Sequence, residues 1–362
     1  SNIAMDRIAK EHILSQLEIV NFTDMKYLKI EYQEFKNSLG GKIPSLLDYI
    51  ANESSPDPIK FISKANSYYE FINKIENIDN CLGDKINNII RLLDKQLPIK
   101  RINEFVVIKQ LVLNGVLNIK DAKDEVLKYV NDIDDDSLLH TFMYLSGKIL
   151  GANEVNSFKF ISGNGKDILR IDDSDLLDNP IFLETLNYGL LRYQEEFGKE
   201  KMSYPYLKLY NYYKMKDMGF LTNYNKSFAS IRGSGVWKNG KHYYLFVDLH
   251  KGENIKESIK YKDKLKDNSN MQWQTQGKTP QTSNVGMDLI FNKSRSVHLH
   301  MFIRKAKKIG NQILDFIYIG EVNTLSYEGK SPITIQLQIE NPLPQHIYDD
   351  MTFTKNIITK NN

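Results

Sequence analysis

Cysteine occurs once in the 362 residues, as Cys81. A single thiol excludes an internal disulfide framework and a cysteine-rich zinc site, and it fits a reducing compartment. With no histidine to activate it, Cys81 reads as a small buried apolar residue. No run of about 18 apolar residues is present, so no membrane span is expected. No secretory leader is read at the start; Ser1–Ala4 before Met5 reads as a cloning scar. Catalytic signatures are missing as well. There is no Walker sequence, His-Glu-x-x-His, Gly-x-Ser-x-Gly, paired cysteine ligands or His-x-Lys nuclease pair. No catalytic residue, metal site or cofactor is therefore expected in this chain.

What is present is an asymmetry of charge. Residues 1–200 hold 24 Lys/Arg against 32 Asp/Glu, whereas residues 201–330 hold 22 against 10. An acidic half joined to a basic half suggests that only the second meets a polyanion. Lysine used for solubility is the competing reading.

The first half has helical periodicity. Apolar residues recur at helical spacing over 13–20, 25–39, 68–75 and 86–93, and an apolar run of helical length spans 105–113. Pro44 opens a helix, Pro98 ends one, and Leu39-Gly40-Gly41 is a stop. Asp134, Asp135 and Asp136 form an acidic cap for a helix over 137–150, without calcium-loop spacing. Further helices are expected over 180–197 and 206–220. After that the pattern changes to strands: 227–231, 242–249, 297–303, 314–319 and 333–339, with Asn239-Gly240 as a hairpin turn. His298 and His300, two apart, share one strand face, and no third metal ligand is apparent. The fold class expected is α+β: an all-α N-terminal domain (5–160), a linker and helix (161–204), a mainly β, barrel-like domain (205–345) and a tail (346–362).

The tract 261–282 is too polar for a core strand, yet it holds Trp273 between Gln272 and Gln274. An aromatic ring flanked by amides suits base recognition, because the ring stacks and the amide bonds the polar edge. Nearby lysines can neutralise phosphates. A tryptophan plugging one end of a barrel is the alternative. On a strand, Trp273 and Thr275 face one way, Gln274 and Gln276 the other.

Several of these tracts resemble one family in combination: Tyr261-x-Asp263, Met271-Gln272-Trp273-Gln274-Thr275-Gln276, Leu299 to Arg304, Phe316 to Gly320, Tyr327 to Pro332 and Pro342-Leu343-Pro344. They resemble the C-terminal domain that follows superfamily 2 helicases in SauUSI-type type IV restriction endonucleases. Thr275 stands where that family has serine, and Lys214 or Lys216 stands where it has arginine. Residues 32–48 and 67–71 are similar to the segment preceding that domain. The resemblance implies an SRA-like domain that binds duplex DNA and reads 5-methylcytosine or 5-hydroxymethylcytosine by base flipping. It also implies a cytoplasmic protein whose nuclease and helicase parts, needing a divalent metal and ATP, lie outside this chain. In that reading Tyr261 and Trp273 stack on the base and Asp263 accepts from the cytosine amino group. Gln274 or Gln276 serves the remaining edge or fills the duplex gap, Thr275 belongs to the same base-binding group, and Arg232 and Arg304 either touch a base edge or phosphate or are structural ion-pair partners. Lys262, Lys264, Lys278, Lys305, Lys307 and Lys308 take phosphates. A non-catalytic scaffold docking on the helicase is the second reading.

Overall fold

The structure, a computed structural model, describes residues 24–151, 154–198, 207–231, 233, 235–250, 263–309 and 312–352. Tertiary contacts divide the chain into two units, Ser1–Ser203 with Asn225–Ser227, and Tyr204–Tyr224 with Phe228–Asn362. The fold class is α+β, as expected. No helix among the described residues is long and apolar enough to cross a membrane.

The first unit is built from helices α1 (Met25–Ser38), α2 (Leu46–Ala51), α3 (Ile59–Ala65), α4 (Tyr68–Glu76), α5 (Asp84–Asp94), α6 (Asn103–Asn114), α7 (Ile119–Val126), α8 (Asp135–Leu145) and α9 (Pro180–Phe197). Most starts are fixed by the side-chain oxygens that sequence reading looks for. Ser45 and Asp48 form a capping box on α2, and Asp134 accepts from the Ser137 N–H at 2.6 Å to start α8. Asn179 caps α9, whose first residue is Pro180. The acidic run 134–136 is thus a helix cap. Strands β1 (Val116–Asn118), β2 (Ser162–Gly163) and β3 (Ile168–Arg170) form a small antiparallel sheet in the order β1-β3-β2, in a stretch expected to be helical domain and linker. Rings of Tyr32, Phe35, Tyr49, Phe61 and Phe71 pack together in the core of the helices. The helix expected over 13–20 lies outside the described residues. Cys81, expected inside, is exposed.

The second unit carries β4 (Tyr212–Tyr213), α10 (Asp217–Leu221), β5 (Gly235–Asn239), β6 (His242–His250), β7 (Lys264–Leu265), β8 (Asn270–Gln274), α11 (Asn284–Ile290), β9 (His298–Ala306), β10 (Lys308–Ile309), β11 (Gln312–Ile313), β12 (Phe316–Glu328), β13 (Thr334–Ile339) and α12 (Gln345–Thr352). One eight-stranded sheet runs β5-β6-β9-β12-β13-β8-β7, with β4 added beside β12. All pairs are antiparallel except β6 with β9, which are parallel. Asn239-Gly240 makes the β5–β6 turn, with Gly240 at φ +61°.

Three expectations are corrected here. The sheet does not close into a barrel, because closure needs its first and last strands to pair. Among the described residues β5 and β7 each pair on one side only. The helix expected over 206–220 shrinks to α10. Tyr210 has φ +64°, which no helix tolerates, and Tyr212 and Tyr213 pair with Ile317 and Phe316 instead. Residues 227–231 hold a 3₁₀ turn, Phe228–Ser230, and not a strand.

One face of the sheet carries the apolar core. Tyr243, Leu245, Leu299, Met301, Met271, Trp273 and Ile335 meet there, joined by Leu289 and Ile290 of α11 and by Ile347 and Met351 of α12. Burying each such side chain stabilises by about 1.5–3 kcal/mol. The opposite face of β6 and β9 pairs His242 with His298, Tyr244 with His300, Phe246 with Phe302 and Asp248 with Arg304.

Candidate functional site

A cavity of about 410 Å³ opens on the apolar face, lined by β5, β6, β8, α11 and the segment between β8 and α11. Alternation along the strands supplies its walls. Val236 and Lys238 point in from β5, Tyr243 from β6 and Trp273 from β8, while Val285 and Leu289 come from α11. Gln276, Lys278, Thr279, Pro280 and Ser283 complete it. The interior is thus two aromatic walls and aliphatic side chains, and amide, hydroxyl and ammonium groups provide its polar contacts. This volume lies within the range of small-molecule sites.

A buried carboxylate fixes one wall. Asp288, 5 % exposed, accepts from the Tyr243 hydroxyl at 2.7 Å, from Arg295 Nε at 2.7 Å and from Lys238 Nζ at 3.2 Å. Burial alone raises its pKa, but these three donors outweigh burial and hold it at about 2. Lys238 in turn lies 4.9 Å from the centre of the Tyr243 ring. Its pKa is raised, first by Tyr243 and then by Asp288 against the effect of desolvation, so it is an ammonium at neutral pH.

The residues singled out from sequence scatter. Trp273, Thr275, Gln276 and Lys278 come together on the cavity. Trp273 is 5 % exposed and belongs to the core as well as to the cavity. Thr275 uses its hydroxyl to accept from the Ile333 N–H at 2.9 Å. Gln276 joins the cavity because β8 ends at Gln274, so the alternation that was to turn it away no longer applies. Gln274 faces the other side of the sheet and donates to Thr334 at 2.8 Å. Asp263 does not line the cavity. It is buried and accepts from the Gln274 backbone N–H at 2.8 Å, fastening the edge of the sheet.

Arg304 and Lys305 are also reassigned. Both lie on β9, a central strand covered on its two faces, and they are 5 % and 2 % exposed. Arg304 donates to Asp248 and to the Leu314 carbonyl and stacks over Phe316 at 4.0 Å, so no base edge or phosphate reaches it. Burial lowers the pKa of Lys305, and it is no surface phosphate ligand. Lys264, Lys278, Lys307 and Lys308 are exposed. Tyr261, Lys262 and Arg232 lie outside the described residues.

Lys238, Tyr243, Asp288, Thr279 and Ser283 were not anticipated. Asp288 carries the one signal that was available, a lone acid in a basic stretch beside Arg295. The histidines likewise gained a partner. His298 and His300 share a face as expected, and parallel pairing adds His242, whose Nδ1 lies 2.9 Å from His300 Nε2. His300 Nδ1 meets the Tyr318 hydroxyl at 3.1 Å and His298 Nδ1 meets Glu321 at 3.0 Å. Desolvation, then the two neighbouring imidazoles, push the His300 pKa down to about 3, so it is neutral. Among the described residues no group of three or more His, Cys, Asp or Glu is placed to hold a metal ion.

Residues 207–351 match the family model described as a domain of unknown function, DUF3427. Residues 28–195 match a second such model, DUF8090. No curated protein matches the chain. The two matches fall on the two structural units, and the cavity lies wholly within the first of these matched regions.

Proposed function

We propose that the sheet unit is the target-recognition module of a helicase-coupled, modification-dependent restriction enzyme, and that the cavity receives an extruded modified cytosine. The observation that carries this reading is the cavity itself: flat Trp273 and Tyr243 walls with Lys238 and Lys278 beside them, in a region of 22 Lys/Arg against 10 Asp/Glu. A flipped base brings a planar face, a hydrogen-bonding edge and an attached phosphate, and the cavity answers each. Trp273 supplies the stacking ring, and Tyr243 backs it beneath the Lys238 ammonium. The Gln276 amide has both a donor and an acceptor, so it can accept from the cytosine amino group and donate to a ring acceptor. The exposed Lys278 ammonium meets phosphate oxygens, while Lys238 stays with Asp288. Val236, Val285 and Leu289 offer apolar contact to a 5-methyl group, for roughly 0.8 kcal/mol per buried methyl, or about fourfold.

On this reading the chain binds and does not cut. Hydrolysis and ATP-driven movement, with their metal and nucleotide, belong to the nuclease and helicase parts that the resemblance implies, in a cytoplasmic enzyme. The measurement is a titration of the chain against duplexes carrying 5-methylcytosine, 5-hydroxymethylcytosine or unmodified cytosine at physiological salt. Binding tightest to a modified duplex is expected, with the preference lost in Gln276→Ala and affinity reduced for every duplex in Lys278→Ala. Both side chains are exposed, so the fold survives their removal. Equal binding to all three duplexes overturns base reading, and no binding at all favours the scaffold that docks on the helicase.

A further inference from the structure

Phe291 and Tyr327 are 43 % and 42 % exposed, yet they are not isolated surface rings. Their centroids are 5.9 Å apart and their planes 79° from parallel. Each is held from below. Phe291 caps the C-terminus of α11, and its N–H bonds the Met287 carbonyl. The end of α11 is tied to β12 by Thr324, which donates its hydroxyl to the Leu289 carbonyl at 2.6 Å and its N–H to Asn292 Oδ1 at 3.0 Å. Tyr327 sits in the β12–β13 ladder opposite Ile335, which in turn opposes Trp273 on β8. Tyr327 is therefore two strand spacings, roughly 10 Å, from the tryptophan of the cavity, on the same face of the sheet. Leu325, at the irregularity between Thr324 and Ser326, is a further exposed apolar residue of β12, 59 % exposed.

We propose that Phe291 and Tyr327 form a base-stacking wedge that engages nucleobases next to the one taken into the cavity. The proposal rests on the reading of the sheet unit as a DNA-contacting module. An exposed aromatic pair suits a partner with flat apolar faces, and the exposed Lys293 and Lys330 near it in sequence outnumber the exposed Glu328 next to Tyr327, which favours one that is also anionic. Nucleobases on a phosphate backbone combine the two. Because the rings are nearly perpendicular, only one can lie flat on a base, and the edge of the other supports it. Gln274 and Gln276 leave this role open, since one faces the other side of the sheet and the other lines the cavity. Apolar side chains inserted at a base step unstack it, which lowers the cost of extruding a neighbour.

The test compares wild type, Phe291→Ala/Tyr327→Ala and Tyr327→Phe on a 12-nucleotide single strand and on a duplex with one 5-methylcytosine beside 2-aminopurine. Wild type is expected to raise 2-aminopurine emission, and the double variant to lose that rise and bind both nucleic acids about tenfold more weakly at unchanged salt dependence. Tyr327→Phe is expected to match wild type, because the ring and not the hydroxyl acts. Unchanged affinity and emission in the double variant overturn the wedge and leave the cavity reading intact. Loss of single-strand binding with no preference for the modified duplex in wild type keeps the stacking surface and overturns base reading. If wild type binds neither nucleic acid, both fall and the aromatic pair is a protein contact.

Discussion

In the helical unit four cations are held in ion pairs of little exposure: Lys36 to Glu76, Lys60 to Glu31, Lys100 to Glu196 and Arg192 to Asp57. In the sheet unit Lys264, Lys278, Lys307 and Lys308 project into solvent, while Arg304, paired with Asp248, and Lys305 are buried. Most described lysines of both units are exposed, but in the first they stand among an excess of carboxylates and in the second they do not, so only the second presents a net positive surface to an external anion. Two buried aspartates, Asp94 in the helical unit and Asp288 in the sheet unit, keep different company. Asp94 receives only neutral donors, the Tyr68 N–H at 2.7 Å and the Thr185 hydroxyl at 2.8 Å, and burial pushes its pKa up to about 6. Asp288 receives two cations and a phenol and is held at about 2. Depth alone does not decide the sign of the shift; the charge of the neighbours does.

The largest expected effect comes from breaking the matched ion pairs. Arg192→Met and Arg304→Met each strand a poorly exposed carboxylate and are expected to cost about 3–5 kcal/mol. Both tryptophans, Trp237 and Trp273, belong to the sheet unit. Denaturation followed by tryptophan emission should therefore register the Arg304 variant, and ellipticity at helix wavelengths the Arg192 variant. Coincident shifts by both probes for both variants would show that the units unfold as one.

The aspartates sharpen the same comparison by roughly 2–3 kcal/mol each. Asp288 has a folded pKa below its ordinary 3.8, so its contribution is present above about pH 4 and lost as pH falls towards 2. Asp94 has the opposite sign: its contribution is full below about pH 4 and lost as pH rises through 6. Denaturant titrations from pH 2 to 7 should find the first dependence flattened in Asp288→Asn and the second in Asp94→Asn.

The smallest effect concerns the acidic unit as a repellent. Neutralising Asp134, Asp135 and Asp136 to Asn keeps an N-cap on α8 and is expected to raise nonspecific DNA affinity no more than about threefold, less at high salt. An unchanged affinity in low salt would confine the electrostatics of binding to the sheet unit.

Local signals were legible, and distant pairings were not. Asn179-Pro180 and the Gly198 stop delimit α9, and Asn239-Gly240 delimits the β5–β6 hairpin, because caps and turns act within a few residues. Residues 206–220 misled because tyrosines at helical spacing also suit a strand, and the partner that decides, β12, lies about a hundred residues on. Trp273 marked the cavity, but its facing wall, Lys238 and Tyr243, comes from another hairpin and carries no mark in the tract around Trp273. Asp263 and Arg304 show the converse. Their chemistry suited a base, and burial gave each to the scaffold.

The parallel register of β6 and β9 bears on how the sheet is made. It joins residues such as His242 and His300, 58 positions apart, at the centre of the sheet, where no hairpin can deliver them. The hairpin β5–β6 and the ladder β9–β12 can form locally, but docking one on the other must close a long loop first. Assembly of this half is thus governed by topology, in the slower range typical of nonlocal strand pairing. Until that closure, the walls of the cavity supplied by β5 and β6 are absent, so competence to bind should appear only with the last step of folding.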